Sequence, residues 1–297
     1  MSKILIGLKS SEYEHPLDRK ALETLENISG LGAIISKIKS STIERSMILD
    51  KKGSTIRITK DNFKRVYDLF EKACKILDFK KQPDLYTSWE YQINAHALGV
   101  EQPVVWISSG CIDLLDDEEL IFIMGHELGH LKSGHLFYYQ LADYFLPLIT
   151  GNIPVPNIPF IGKAISEGIK YPLYHWRRMA EFSCDRAGLL CCQNPQKALS
   201  AQITSMGVPQ KYQNENFIND LIKQADNFTN DDFEPTDKVI KSFSQAYSFT
   251  AAIETGKLIP ESHPLPMVRI SKLNEWVNNG GYKNILDKDR KNIQILS

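Results

Sequence analysis

Two histidines four residues apart, with a glutamate after the first, constrain this chain more than any other feature: His126-Glu127-Leu128-Gly129-His130. On an α-helix, residues four apart lie about 40° apart around the axis and roughly 6 Å apart along it. Two imidazoles at that spacing can grip one small cation. Glu127 lies about 100° round from His126, so its carboxylate can reach a water on the cation without ligating it. The apolar run Leu120-Ile121-Phe122-Ile123-Met124-Gly125 leads into the segment and marks a buried helix. Polar groups buried there need partners, since unpaired ones cost several kcal/mol, and a bound cation would supply one. The alternative is an ordinary helix whose histidines are satisfied by hydrogen bonds.

The pattern is the H-E-x-x-H signature of zinc peptidases. A catalytic zinc has three protein ligands and an open position for water. The metzincin pattern would put glycine and histidine where this chain has Ser133 and Leu136, and Gly134-His135 miss by one. On a continuous helix His135 projects roughly 180° from His126, as a surface or packing histidine. The better third ligand is Glu181, in Arg178-Met179-Ala180-Glu181-Phe182-Ser183-Cys184-Asp185. Glu181 and Asp185 share a helix face, so Glu181 can supply a carboxylate while Asp185 accepts a hydrogen bond from a ligand imidazole. The competing reading is an exposed charged face.

With 297 residues and 42% hydrophobic content, the chain can bury a substantial core. A formal net charge of −1 gives no field that would draw it to nucleic acid. Cys74, Cys111, Cys184, Cys191 and Cys192 form no C-x-x-C pair and read as reduced core thiols. Without a recognisable secretory leader, a cytoplasmic location is expected. The stretch 139–170 carries Phe145-Leu146-Pro147-Leu148-Ile149, but Asp143 and four prolines bar a spanning helix. It reads as a hairpin-like insertion: a surface hairpin, a substrate lip or a peripheral membrane contact.

Periodicity predicts a helix over 21–28, a strand over 54–59, and a helix capped by Asp61-Asn62 with Phe63, Val66, Leu69, Phe70, Ala73 and Leu77 inward. Strands are expected at 82–86, 91–98 and 103–108, and Ser108-Ser109-Gly110 reads as a turn. Asp116 or Asp117 caps the metal helix, which should run to about Tyr139. A second strong helix spans 174–192, and the last covers 267–277, stopped by Asn278-Asn279-Gly280-Gly281. His15 and His175 read as surface residues.

These residues resemble the gluzincin group of zinc metallopeptidases, specifically the family containing the heat-shock protease HtpX and the CAAX prenyl proteases. The resemblance runs from about His15-Pro16-Leu17-Asp18 to Tyr282 and rests on four pieces in order. They are Asn94-Ala95-His96-Ala97-Leu98-Gly99, the H-E-x-x-H helix, the Glu181–Asp185 helix, and His263-Pro264-Leu265-Pro266-Met267-Val268-Arg269. It implies an α+β, mainly α-helical fold: a zincin-like core with a small β-sheet, as a single metallopeptidase domain over 1–297. Residues 1–60 would be a packing segment and 61–297 the catalytic core. The chain lacks the hydrophobic spans of the integral-membrane members, so general endopeptidase action is expected over processing of prenylated substrates.

The expected site is one Zn²⁺ per chain on His126, His130 and Glu181, with Glu127 as general base. His263 is the candidate second oxyanion stabiliser, an occupant of the open metal position in a latent state, or a loop histidine before proline. Arg269 pairs with Asp185 or another buried carboxylate, or caps the last helix. Asn94 and Ala95 would bind extended polypeptide through backbone hydrogen bonds, and His96 is either a pocket histidine or an edge-strand polar residue. The expected function is zinc-dependent hydrolysis of extended or unfolded polypeptide. The alternative is a latent, zinc-stabilised polypeptide-binding or chaperone-like protein with little turnover. Oligomeric state is open.

Overall fold

The computed structural model describes residues 2–27, 31, 43–100, 102–142, 163–231, 265–288 and 295–296. In chain order, β1 (Ser2–Lys3), α1 (Pro16–Glu26), α2 (Ile43–Ser54), β2 (Ile56–Arg57) and α3 (Lys64–Ile76) come first. β3 (Asp84–Ser88), β4 (Ala95–Leu98) and β5 (Val104–Ser108) follow, then α4 (Ser109–Leu114), α5 (Asp117–Lys132) and α6 (Leu136–Gln140). The long α7 (Lys163–Cys192) leads to α8 (Pro195–Ser205), α9 (Glu215–Asp231), α10 (Pro266–Asn278), α11 (Gly281–Leu286) and β6 (Ile295–Leu296). The fold is mainly helical with one small mixed sheet of order β2-β3-β5-β4, and β1 pairs with β6. β3 and β5 are parallel; β4 runs antiparallel to β5.

Strand alternation gives the sheet two different faces. Leu85, Val105 and Ile107 enter a large core with Phe70 of α3, Phe122, Met124 and Leu128 of α5, and Leu190 and Cys191 of α7. Tyr86, Val104 and Trp106 point the other way, to a small cluster with Ile48. All five cysteines are free and buried. Among the described residues, no helix is long and apolar enough to cross a membrane.

α5 starts where its acidic run predicts. The Asp116 carboxylate accepts from the N–H groups of Glu118 and Glu119, each at 3.0 Å. Glu119 accepts from the Asp116 N–H at 3.1 Å, completing a capping box. Burial works against the Asp116 charge, but Lys197 and the capped N–H groups outweigh it and hold the carboxyl below its usual range. Asp116→Ala is expected to lower stability at pH 7 by about 1 kcal/mol in denaturant titrations. Because the folded pKa is the depressed one, that contribution is complete above the unfolded value of about 4 and fades as pH falls through the folded value. A difference between the two proteins that grows in acid would contradict this account.

Several elements depart from the sequence expectation. α3 is not capped by Asp61-Asn62: its N-cap is Phe63, because Asn62 is engaged upstream, accepting from the Thr59 N–H and donating to the Arg57 C=O, both at 2.7 Å. Ser108-Ser109-Gly110 opens α4 instead of a turn, since the Ser108 hydroxyl accepts from the Cys111 N–H at 3.2 Å. α7 begins at Lys163 and carries Pro172 inside it. His15 is buried: its Nδ1 accepts from the Leu17 N–H at 3.1 Å, capping α1 ahead of Pro16. His175 is half-buried.

α5 ends at Lys132, well short of Tyr139. Gly134 takes φ +72°, a left-handed conformation that costs glycine little. The His135 N–H then donates to the His130 C=O at 3.0 Å, closing the helix end. α6 starts in a new direction from there.

Candidate metal centre

α5 makes its most extensive contact with α7. Glycines on both helices permit a close approach. A Cβ at Gly125 would sit 2.5 Å from the Cys191 Cβ, one at Gly129 2.8 Å from the Ala187 Cβ, and one at Gly188 2.7 Å from the Phe122 carbonyl oxygen. Only hydrogen fits at these positions, so the backbones come together and a side chain on α7 can meet the His126–His130 face of α5.

Glu181 is that side chain. His126 Nε2 and His130 Nε2 lie 3.2 Å apart. Glu181 Oε2 is 3.3 Å from His126 Nε2, and Oε1 is 3.4 Å from His130 Nε2. All three residues are buried. Metal–ligand distances of 2.0–2.2 Å in a tetrahedral site put donor atoms about 3.3 Å apart. The two imidazoles and the carboxylate therefore fit a small cation, in both spacing and donor chemistry. Cys184 is a second neighbour, with a ligand atom within 4.8 Å of the histidines'. Its Sγ lies 3.6 Å from His135 Nδ1, however, behind His130 and away from the Nε2 edge. Burial also pushes its thiol pKa well above its usual range. Glu181 is the better candidate for a third ligand.

The site is strongly polarised. Burial works against a charge on His126, but hydrogen bonds to Asp185 and Glu181 and the Glu181 charge outweigh it and raise the imidazole pKa. Burial wins at His130, where Glu181 offsets only part of it and the neighbouring imidazoles add to the depression. His126 Nδ1 is 3.1 Å from Asp185 Oδ1. Arg269 lies across that carboxylate, donating from Nε to Oδ2 at 2.8 Å and from Nη2 to Oδ1 at 2.5 Å, while its Nη1 is 3.4 Å from Glu181 Oε2. Burial alone would raise the Asp185 pKa; the charge and hydrogen bonds of Arg269 hold it low.

Three members of the site escaped sequence reasoning. The Tyr139 hydroxyl donates to Glu181 Oε1 at 2.5 Å, and its ring packs 4.8 Å from that of His130. His135 is buried against His130, with Nδ1 to Nδ1 at 3.4 Å, and does not project away from His126. The break at Gly134 brings it back. Asp18, from α1, lies 3.2 Å from His135 Nε2. No motif announces Tyr139, whereas Gly134 was a readable break signal.

Glu127, beside His126 on α5, is 6% exposed. β4 is the edge strand next to α5. The Asn94 N–H donates to Ser108 Oγ at 3.1 Å and its C=O accepts from the Ser108 N–H at 2.9 Å, so its backbone is spent within the sheet. Antiparallel pairing alternates, and the register Ala95↔Ile107, Ala97↔Val105 turns the backbone groups of Ala95 and Ala97 outward. The Asn94 backbone, expected to face substrate, is instead bonded to Ser108. His96 stacks on Trp106, ring centroids 4.7 Å apart, on the sheet face turned away from the metal helix. Of the two readings for His96, the edge-strand polar residue fits this position. His263, residues 144–160 and most of the 139–170 insertion lie outside the described residues.

The family model for peptidase family M48 matches residues 60–277. Over 283 residues the chain is 26% identical to "Plastoglobule-localized metallopeptidase 48, chloroplastic" of Arabidopsis thaliana, covering 95% of this chain and 76% of that one. A stretch of 104 residues, 34% of this chain, is 31% identical to a protease HtpX homolog of Bacteroides fragilis and covers 32% of it. A third relative, "Uncharacterized metalloprotease YhfN" of Bacillus subtilis, is 31% identical over 93 residues, 27% of this chain and 21% of its own.

Proposed function

This chain belongs to peptidase family M48, a metallopeptidase family, and we propose that it is a zinc-dependent endopeptidase acting on extended or unfolded polypeptide. The observation that carries the reading is the buried convergence of His126 Nε2, His130 Nε2 and the Glu181 carboxylate within 3.2–3.4 Å of one another. In this reading those three residues hold one zinc per chain. Bound there, zinc supplies Lewis acidity, polarising a scissile carbonyl and bringing the pKa of water towards ~7.

The chain's own residues do the rest. Glu127 takes the proton of the attacking water at its carboxylate and passes it to the departing amine nitrogen. Asp185, kept ionised by Arg269, accepts the His126 Nδ1–H and leaves the Nε2 lone pair free to ligate. Tyr139 donates to Glu181 and fixes the carboxylate's orientation. Ala95 and Ala97 present outward backbone groups to which an extended substrate adds as a further strand. We read 1–297 as one metallopeptidase domain: α1 packs along α7, and the β1–β6 pair ties the two ends together. Five free, buried thiols fit a reducing compartment.

The test is metal removal. After chelation, cleavage of unstructured peptides is expected to fall in step with bound zinc and to return when one zinc per chain is restored, as followed by elemental analysis and peptide mass spectrometry. Cleavage that survives complete removal would overturn the proposal.

A further inference from the structure

The His15-Pro16-Leu17-Asp18 segment lies before the residues matched to the family and has no part in the mechanism above, yet its last residue points toward the metal centre. His15 caps α1 through Nδ1, and its backbone N–H donates to Ser183 Oγ at 2.9 Å, docking the helix start on α7. That places Asp18 in the first turn of α1, 2% exposed. Ser183 Oγ donates to Asp18 Oδ2 at 2.5 Å, and the same oxygen is 3.2 Å from His135 Nε2. On its other side, His135 Nδ1 is 3.4 Å from His130 Nδ1. An unbroken line of contacts thus runs from α1 through α6 to α5.

Its polarity is fixed from one end. The Asp18 carboxylate accepts only. Burial works against its charge, but His135, Ser183 and Trp176 outweigh burial and hold it below its usual range. A neutral His135 that donates from Nε2 to this carboxylate leaves Nδ1 as an acceptor. The Cys184 thiol lies 3.6 Å from the same Nδ1 and can donate to it as well. His130 in turn must carry its proton on Nδ1. Its Nε2 lone pair is left facing His126 and Glu181.

We propose that His135 and Asp18 are positioning residues: a two-step relay that locks His130 in the metal-ligating tautomer and fixes its ring orientation. It parallels the direct Asp185 contact to His126. The two ligand histidines are thereby held by carboxylates from different parts of the chain, Asp185 from α7 and Asp18 from α1. This inference rests on the metal-centre reading of the preceding subsection.

The experiment measures the zinc dissociation constant of the full chain by competition with a chelator of known affinity. Asp18→Asn keeps the shape of the side chain and removes its charge; His135→Phe removes the relay; Leu25→Ala weakens α1, on which Leu25 is fully buried, without touching the relay. His135→Phe is expected to loosen zinc by about 10–100-fold and Asp18→Asn by about tenfold, while Leu25→Ala keeps wild-type affinity. The relay is overturned if Asp18→Asn and His135→Phe both bind zinc like the wild type, or if Leu25→Ala loosens it as much. The near-isosteric Asp18→Asn decides the matter should His135→Phe fail to fold. His126→Ala separates the two levels of inference: zinc retained without His126 would sink the metal centre and the relay together, whereas zinc lost there but unmoved in the relay variants would sink the relay alone.

Discussion

Glu127→Gln is expected to keep one zinc per chain while hydrolysis of unstructured peptides drops by about 10²–10⁴-fold. The two outcomes separate because Glu127 is not among the converging donors. Those are His126, His130 and Glu181, mutually 3.2–3.4 Å apart, and glutamine alters none of them. What the amide cannot do is accept a proton from water and return it to nitrogen. Glutamine has nearly the same volume, so a site only 6% exposed need not repack. Metal content by elemental analysis and turnover by mass spectrometry read the two effects independently. A variant cleaving at the wild-type rate would place the base elsewhere. Full zinc with no cleavage by either protein, across many peptides, would favour the latent polypeptide-binding alternative.

Arg269→Met should be the most destabilising single change near the site, by about 3–5 kcal/mol, the usual cost of stripping one partner from a buried ion pair. Asp185 is 1% exposed at its side chain and Glu181 0%. Arg269 touches both carboxylates, and methionine fills much of its volume without charge. The experiment is denaturant unfolding of the metal-free chain, so that zinc does not compensate. Asp185→Asn added to Arg269→Met should recover part of the loss, because the second change removes the charge that the first left stranded. A loss below about 1 kcal/mol, the range of exposed pairs, would show that water reaches Asp185 and that the guanidinium does not hold it.

The parts of the site legible in the sequence are those whose geometry is local. His126, Glu127 and His130 share one helical turn, and Glu181 and Asp185 share one face, so spacing alone assembles each half. Joining the halves rested on the need for a third metal ligand, because nothing local says that α5 and α7 cross. Where reasoning failed, long-range or chiral information was at stake. Apolar periodicity continues through Ser133-Gly134 into Leu136 and Phe137, which hid the break that folds His135 back onto His130. Asp18 stands more than a hundred residues from the imidazole it touches, and His15 beside it read as a surface residue. The outward parity of β4 is set by Ser108 binding the Asn94 backbone, a contact across a hairpin that alternation cannot phase. Asn62 offered good capping chemistry, but Thr59 and Arg57 claimed it first.

The close contact at Gly125, Gly129 and Gly188 also acts as a gauge. No compressible layer of side chains separates α5 from α7 at these points, so the separation of the two helix backbones is fixed there. For the proposed zinc site, a fixed helix separation is expected to favour a small ion. Calcium, which asks for six to eight oxygens at 2.3–2.6 Å, would need the helices to spread, and the same spread would empty the cradle of anything smaller.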